Sequence, residues 1–263
     1  MLKARSPWQV TRAVWYAMFM REFVTRTMAD RMAWFWMLFE PIAIVGLIVA
    51  IRTLVIGRER LIMNAEFIPW LVIGLMGFYL FRDNMMRLMG AVEANKALFA
   101  YRQVKPSDPV FVRSFVETTL RSFVFLVFIV VITFLGMNMN PDSPLLALWA
   151  WASLWVLGLG IGLTLSALNI LVPEVSKIAR IMSLPLLIIS GVIFPISLLP
   201  HHLLPYVLIN PIPHGLEVLR QGFYIRYPLV EGVSLLYLWY WALSALIIGL
   251  LLHIRFENKL KAQ

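Results

Sequence analysis

The stretch IMSLPLLIISGVIFPISLLPHHLLPYVLINPIPHGL at residues 181–216 decides the fold, because 36 consecutive residues lack Lys, Arg, Asp and Glu. A membrane-spanning helix needs about 20 apolar residues, so this run is too long for one span and too short for two spans with a turn. From residue 195 onward it also carries five prolines, and proline interrupts helices. We therefore predict one span over about 181–197, followed by broken, re-entrant helices that return to the same side of the membrane.

Five further apolar runs are long enough to cross a membrane. They are Met32–Ile51, Phe67 to about Met86, Ser122–Pro141, Ser143–Pro173 and Gly232–Ile254. Hydrophobic residues make up 61% of the 263-residue chain and charged residues 14%, whereas soluble proteins contain about 45–50% and about 25%. The sequence therefore predicts an all-α polytopic membrane protein with six transmembrane helices within residues 32–254.

The distribution of charge predicts the orientation of the chain. A net charge of +9 would suggest a nucleic-acid partner if the protein were soluble. Here most of the 23 Lys and Arg residues fall in segments that six spans place on one side, namely 1–31, 82–113, 177–180 and 255–263. Because cytoplasmic loops are enriched in Lys and Arg, we predict a multi-pass protein with both termini in the cytoplasm and no nucleic-acid partner.

The N-terminal stretch at residues 8–31 is predicted to form a helix at the cytoplasmic membrane interface. Its segment Ala13–Met20 is uncharged, and five charged residues follow between positions 21 and 31. The apolar side chains do not fall cleanly on one face, so anchoring in lipid and packing against the helix bundle are equally supported.

The sequence contains few groups that could perform chemistry. It has no cysteine, which excludes disulfides and thiol catalysis, and no GxxxxGK[ST] motif, which excludes a P-loop for ATP. The adjacent His201 and His202 would point about 100° apart on a helix, so two interfacial histidines are favoured over a metal site. We predict no catalytic residue, no metal and no cofactor in this chain.

Three features within the predicted spans have specific interpretations. Glu40 is the main candidate for ion coupling, since carriers place ionisable groups at membrane depth for this purpose. Glu117 and Arg121 are spaced i,i+4 and are predicted to neutralise each other. The run Gly158-Leu-Gly160-Ile-Gly162 lies inside a span with no preceding strand, so it predicts close helix packing rather than phosphate binding.

Residues 90–109 form the longest predicted cytoplasmic loop. The composition of residues 90–103 favours a helix, which Pro106 and Pro109 would end. A short helix of mixed apolar and basic character could dock a soluble partner, or it could be a solvated loop helix. Composition does not distinguish these two interpretations.

The end of the long apolar run carries polar residues in a regular spacing. Asn210 and Pro211 favour the start of a helix. His214, Glu217 and Arg220 then follow at a spacing of three, which places them on one helix face. They could form a local salt bridge that holds the re-entrant segment, or the helix could line an exit.

Together these features resemble the permease subunits of ABC-2-type exporters. The shared elements are an amphipathic N-terminal helix, six spans, a helical loop after the second span and a proline-broken segment before the last. The run Asn210-Pro-Ile-Pro-His214-Gly-Leu-Glu217-Val-Leu-Arg220 and the chain length look most like the permeases of capsular polysaccharide exporters of Gram-negative bacteria. The resemblance covers essentially the whole chain.

This resemblance implies a homodimer in the inner membrane with a channel at its interface, together with two copies of a separate ATPase that binds ATP and Mg²⁺. The turn Pro173–Arg180 would be a second, minor ATPase contact. The re-entrant segment 198–228 would hold periplasmic gate helices at about 198–209 and 211–224. The ATPase-coupling residues would be Glu93, Lys96, Phe99, Tyr101, Arg102 and Gln103. The gate-helix residues would be Asn210, His214, Glu217 and Arg220.

The resemblance also implies the cargo, a lipid-linked acidic polysaccharide, and further partners, a periplasmic co-polymerase and an outer-membrane export protein. Aromatic faces suit a sliding glycan because they stack on sugar C–H surfaces without fixing one register. Trp34, Phe35 and Phe39 are candidate channel residues of this kind. Glu40 would repel an acidic glycan, so we expect it to be paired or turned away.

Two alternatives remain open on the sequence. One is an ABC-2 permease for another cargo, such as O-antigen, teichoic acid or a lipophilic drug. The other, less favoured, is a membrane-embedded lipid or sugar transferase that uses His201 or His214.

Overall fold

The computed structural model describes residues 7–28, 32–55, 61–63, 65–101 and 103–262, and the regular secondary structure among them is helical apart from one small antiparallel hairpin. In chain order the elements are α1 (Pro7–Met28), α2 (Ala33–Val55), β1 (Leu61–Ile62), β2 (Ala65–Glu66), α3 (Phe67–Met89), α4 (Ala91–Ala94), α5 (Asp108–Phe134), α6 (Pro144–Leu171), α7 (Glu174–Ile189), α8 (Leu204–Val207), α9 (Pro211–Phe223), α10 (Leu235–Arg255) and α11 (Glu257–Ala262). Two 3₁₀ turns cover Lys96–Ala100 and Ile196–Leu198. In the hairpin, Leu61 pairs with Glu66 and Ile62 with Ala65.

Helices α3 and α6 form the centre of the bundle, with α10 and α9 packed against α6. Glycines of α6 allow this close approach. A Cβ on Gly158 would lie 2.8 Å from the carbonyl oxygen of Phe81, and one on Gly160 would lie 2.8 Å from that of Ala242. The prediction of close helix packing at this glycine run is therefore confirmed.

Among the described residues, four helices are long and apolar enough to cross a membrane: α5, α6, α10 and residues 35–54 of α2. Helix α3 has 23 residues but carries Arg82, Asp83 and Arg87, and α7 has only 16 residues. The helical membrane fold agrees with the sequence prediction. A total of six spans and the gate helices stay predictions.

Helix α5 begins well before the predicted span Ser122–Pro141, and that prediction was wrong at both ends. The helix continues through Arg113, Glu117 and Arg121 because each of these charged side chains is paired inside the protein. At 1.5 Å per residue, its 27 residues extend about 40 Å, which exceeds the ~30 Å hydrocarbon core of a bilayer.

The region between α6 and α9 also differs from the sequence prediction. Residues 174–180, predicted as a turn, are the first turns of α7, and that helix ends at Ile189 before Gly191, which has φ 68°. Residues 198–209 do not form one helix. They contain the end of a 3₁₀ turn and the single turn α8, because Pro200 and Pro205 interrupt the backbone hydrogen bonds that a longer helix needs.

The helix predicted over residues 90–103 is divided into α4 and a 3₁₀ turn at Asn95. The side chain of Asn95 is turned back onto α4, where its Nδ2 donates to the carbonyl of Ala91 at 2.8 Å. Its Oδ1 accepts a hydrogen bond from Arg21 of α1. The division thus coincides with a contact that ties the loop to α1.

Helix α1 packs against α5 on one side and is exposed on the other. Trp15 stacks on Phe111 with ring centroids 6.1 Å apart, and its Nε1 donates to Asp108 at 3.3 Å. Trp8 and Tyr16 are 75% and 66% exposed, which suits a membrane interface. Packing against the bundle is therefore shown, and the exposed face is free to contact lipid as well.

Candidate functional site

A cavity of about 880 Å³ opens between α2, α3 and α7. Its walls are mainly aliphatic, with Ile44 and Leu47 of α2 opposite Leu184 and Leu187 of α7. Arg52 of α2 and Arg82 of α3 also line it, and the guanidinium of Arg52 lies over the ring of Phe67, 3.9 Å from its centroid. Helix α2 forms one wall although only 11% of its apolar stretch is buried within the chain. The cavity is therefore open on the side where α2 and α7 face away from the bundle.

Arg82 is held at this cavity by carboxylates from two helices. Its Nη2 donates to Oε1 of Glu40 in α2 at 2.9 Å, and its Nε donates to Oδ1 of Asp83 at 3.1 Å. The other oxygen of Asp83 accepts from Arg121 of α5. We call Glu40, Arg82, Asp83 and Arg121 the charged cluster; its two arginines and two carboxylates balance each other. The expectation that Glu40 is paired is confirmed.

Sequence reasoning missed the charged cluster, although part of its pattern was visible. Arg82 and Asp83 interrupt an otherwise apolar run, and charged residues inside spans usually pair with one another. Arg121, the partner of Asp83, was assigned to Glu117 on spacing alone. That pairing was wrong: Glu117 accepts from Nε of Arg26 at 3.1 Å and lies 3.1 Å from Nε of Arg87. Tertiary packing, which brings α1 and α3 against α5, decides both pairs.

Glu217 and Arg220 form a second ion pair, enclosed within the bundle. Nη1 of Arg220 lies 2.8 Å from Oε1 of Glu217, and the two side chains are 0% and 2% exposed. The guanidinium also donates to the carbonyls of Gly191 and Val192 at 3.0 and 3.1 Å and stacks on Trp70 at 3.7 Å from its ring centroid. The local salt bridge considered from the sequence is therefore present.

Around this enclosed pair, Trp70 is itself held by a tyrosine. Nε1 of Trp70 donates to Oη of Tyr227 at 3.1 Å. Burial raises the pKa of Tyr227 to about 12, so the phenol stays protonated at physiological pH. Gly74 makes room for the guanidinium, because a Cβ there would clash with Arg220.

His214 and Asn210 position the start of α9. Oδ1 of Asn210 accepts from the backbone N–H of Ile212 at 3.1 Å, as the sequence predicts for a helix cap. Nδ1 of His214 accepts from the backbone N–H of Ser234 at 2.9 Å, so Nε2 carries the proton and donates to the carbonyl of Leu208 at 2.9 Å. Both ring nitrogens are used in structural hydrogen bonds, whereas His201 and His202 are exposed. The gate role of α9 stays a prediction.

The predicted ATPase-coupling residues are only partly on the surface. Glu93, Tyr101 and Gln103 are exposed, Lys96 is half-buried, and Arg102 lies outside the described residues. Phe99 is buried in a second apolar core with Met18, Val104 and Leu260, so its side chain anchors the loop to the bundle.

A smaller cavity of about 380 Å³ lies beside this loop. It is lined by Glu93 and Lys96 and by Ser176 and Arg180 of α7. The fold thus brings the loop and residues 173–180, the two segments assigned to a partner on the sequence, to one surface.

The candidate channel aromatics lie at the start of α2. Phe35 and Phe39 stack with ring centroids 5.0 Å apart, and Trp36, which the sequence analysis did not include, packs edge-on against Phe35 at 5.4 Å. Phe35, Trp36 and Phe39 are 46%, 56% and 43% exposed. The side chain of Trp34 lies outside the described residues. These three rings form an exposed aromatic patch one turn from Glu40.

Comparison with known proteins agrees with this geometry. The family model of the ABC-2 type transporter matches residues 13–224. The polysialic acid transport protein KpsM of Escherichia coli is 33% identical over 250 residues, which cover 95% of this chain and 96% of that protein. The capsule polysaccharide export inner-membrane protein BexB of Haemophilus influenzae is 26% identical over 247 residues, or 94% and 92% of the two chains.

A third relative is the capsule polysaccharide export inner-membrane protein CtrC of Neisseria meningitidis serogroup A, 24% identical over 211 residues, or 79% and 78% of the two chains. The resemblance drawn from the sequence is confirmed. Because the family model covers most of its length, the chain belongs to the ABC-2 type transporter family.

Proposed function

We propose that this chain is the transmembrane permease subunit of an ATP-driven exporter in the bacterial inner membrane. It moves a lipid-linked acidic capsular polysaccharide from the cytoplasm to the periplasm through a channel at a homodimer interface. Two copies of a separate ATPase supply the energy, and a periplasmic co-polymerase and an outer-membrane protein receive the cargo. Family membership and the names of the three relatives support this proposal.

The observation that carries the proposal is the cavity between α2 and α7 with Arg82 in its wall. Charged side chains within spans face the bundle interior or a water-filled cavity and often mark a substrate path, and Arg82 lies in the wall of this cavity. A path for an acidic glycan benefits from such a cation. Its aliphatic walls give sugar hydroxyls few hydrogen-bond partners, so a long chain can slide through without being held at every unit.

The exposed face of α2 supports the homodimer. Leu47, Ile51 and Leu54 are 60%, 53% and 87% exposed, and the cavity is open beside them. A second copy related by twofold symmetry would present the same face. It would close the open side of each cavity and leave a channel between the two subunits.

The dimer can be tested by cross-linking, since the chain has no cysteine of its own. We expect Leu54→Cys in α2 to form a disulfide-linked dimer in native membranes. Phe134→Cys in α5 is the matched control, because Phe134 is equally exposed at 88% but lies away from the cavity. Cross-linking through Phe134→Cys and not through Leu54→Cys would contradict the placement of the interface.

The surface around Glu93 and Lys96 supports an ATPase contact. It combines charged side chains with a cavity of about 380 Å³ that could receive a side chain of a partner. We expect Lys96→Glu to lower export about tenfold, the equivalent of one lost charge-assisted contact, without lowering the melting temperature of the chain. Lys259→Glu in α11 is the control and should export normally.

The function itself is tested in a capsule-forming bacterium from which the native permease has been removed. The chain is expressed together with a candidate ATPase subunit. We expect the ATPase to co-purify with the chain and acidic polysaccharide to return to the cell surface. Polysaccharide that stays inside the cell, from a chain that purifies without an ATPase, would refute the proposal. Restoration of O-antigen export alone would assign the other cargo.

A further inference from the structure

The side chains of the charged cluster differ widely in how far they are exposed. The side chains of Arg121 and Asp83 are 3% and 7% exposed, whereas that of Arg82 is 20% exposed and that of Glu40 is 40% exposed. Asp83 contacts two arginines, from α3 and α5. Because Glu40 is the most exposed of the four, it is the member whose carboxylate can leave at the lowest cost.

The backbone around Glu40 also permits such a movement. Pro41 follows it inside α2 and has no N–H to donate to the carbonyl of residue 37, which weakens the helix at this turn. Only 11% of the apolar stretch of α2 is buried, although Met37, one turn before Glu40, belongs to the apolar core. The carboxylate of Glu40 can therefore leave Arg82 through a movement of its side chain and of the turn at Pro41, while Met37 stays in place.

Departure of Glu40 would change the charge of the cavity wall. The remaining members are two arginines and one aspartate, with Asp83 shared between both guanidinium groups. Their sum is one positive charge. Nη2 of Arg82 would keep its contact with Oδ1 of Asp83 at 3.0 Å, and the N–H that Glu40 had occupied would become available where Arg82 lines the cavity. A guanidinium is well suited to bind a carboxylate or a phosphate through paired hydrogen bonds.

We propose that Arg82 is an anion-binding residue of the transport path, and that Glu40 occupies it until an anionic group of the substrate replaces its carboxylate. The proposal rests on the proposed function, which provides an acidic, lipid-linked cargo. The anionic group is either a carboxylate of the glycan or the phosphate of its lipid linkage. Replacing one carboxylate by another leaves the arginine neutralised throughout, so a charged polymer can pass without being trapped at this position.

The test is a binding titration on the full-length protein in lipid nanodiscs. The probes are a short oligogalacturonate, a neutral maltooligosaccharide of the same length, and inorganic phosphate. We expect Glu40→Gln to tighten oligogalacturonate or phosphate binding about two- to five-fold, the factor that corresponds to losing one competing, partly exposed ion pair. Arg82→Gln should abolish binding. If this variant does not fold, Arg82→Lys takes its place and should bind more weakly than the wild type.

Glu22→Gln is the matched control. Glu22 forms an ion pair of similar kind with Arg113 at 2.6 Å, but it lies on α1, away from the cavity, so this variant should bind like the wild type. Three results would overturn the proposal. Glu40→Gln could bind the anionic probes no more tightly than the wild type, or Glu22→Gln could gain as much affinity as Glu40→Gln. The third is that the neutral maltooligosaccharide binds as tightly as the anionic probes.

The two sources of the anion are separated by the probes. Binding of oligogalacturonate alone, with the expected pattern of variants, assigns the site to the glycan, and binding of phosphate alone assigns it to the lipid linkage. Failure of both probes to bind wild type and Glu40→Gln overturns the proposal. If the chain still exports polysaccharide in cells in that case, the proposed function stands and only the role of Arg82 falls.

Discussion

Two ion-pair groups in the part of the chain that the structure describes differ in what surrounds them. Glu217 and Arg220 sit on one helix, are sealed from solvent, and have backbone carbonyls and Trp70 as further partners. The charged cluster spans α2, α3 and α5 and is open to a cavity at Arg82 and Glu40. An enclosed pair on one helix fixes a structure. A pair shared between helices at an open cavity can exchange partners, which is what a transport path requires.

The largest expected effect comes from breaking the enclosed pair. Arg220→Met leaves the carboxylate of Glu217 buried without its cation and should lower the free energy of unfolding by about 3–5 kcal/mol. Thermal unfolding of the purified protein in detergent measures this loss. In the exposed pair of Lys261 and Glu257, whose side chains are 27% and 41% exposed, Lys261→Met should cost at most about 1 kcal/mol.

A double variant distinguishes loss of charge balance from loss of packing. Glu217→Gln combined with Arg220→Met should recover part of the stability, because no buried charge is left unpaired. If the double variant is no more stable than Arg220→Met alone, the loss comes from the packing of the arginine, including its contact with Trp70, and not from an unpaired carboxylate.

The second prediction compares glycines of α3 and α2. Gly74→Ala would push its new methyl group into the guanidinium of Arg220 and should cost roughly 1–3 kcal/mol, as overpacking does. Gly46→Ala in α2 meets no atom within 4 Å and should be neutral, or stabilising by up to about 1 kcal/mol from helix propensity. Equal destabilisation by both variants in a melting experiment would contradict the contrast between an enclosed α3 and an open α2.

The smallest expected change in stability is at the open cluster. Glu40→Gln should lower the free energy of unfolding by about 0.2–1 kcal/mol, since its ion pair is partly exposed. The same detergent melts used for Arg220→Met measure it. A loss as large as that of Arg220→Met would show that Glu40 is a fixed structural partner of Arg82 and would remove its role as a replaceable anion.

The sequence was sufficient to predict those parts of the fold in which hydrophobicity alone decides. Helix α6, Pro144–Leu171, and helix α10, Leu235–Arg255, lie within three residues of the predicted spans at each end. The prediction for α5 began the helix too late because the charged residues at its start were taken to precede it, whereas partners from α1 and α3 neutralise them within the helix. Which carboxylate meets which arginine depends on how the helices pack, and spacing along one helix does not contain that information.

In the candidate site, too, local features could be predicted from the sequence, whereas features that depend on helix packing could not. The cap at Asn210 and the pair of Glu217 and Arg220 are local and could be predicted from spacing. The cavity between α2 and α7, and the position of Arg82 in its wall, arise from three helices that are distant in sequence. Arg82 and Asp83 were visible as interruptions of an apolar run, and only the fold shows that one of them faces a cavity.

The most direct test of the account is transport in proteoliposomes that contain the chain and its ATPase. The quantity measured is the ATP-dependent movement of a lipid-linked acidic polysaccharide across the membrane, in wild type, Arg82→Gln and the control Glu22→Gln. We expect Arg82→Gln to lose most of this transport while its ATPase remains bound, and Glu22→Gln to transport normally. Transport at the wild-type rate by a folded Arg82→Gln complex would contradict this expectation.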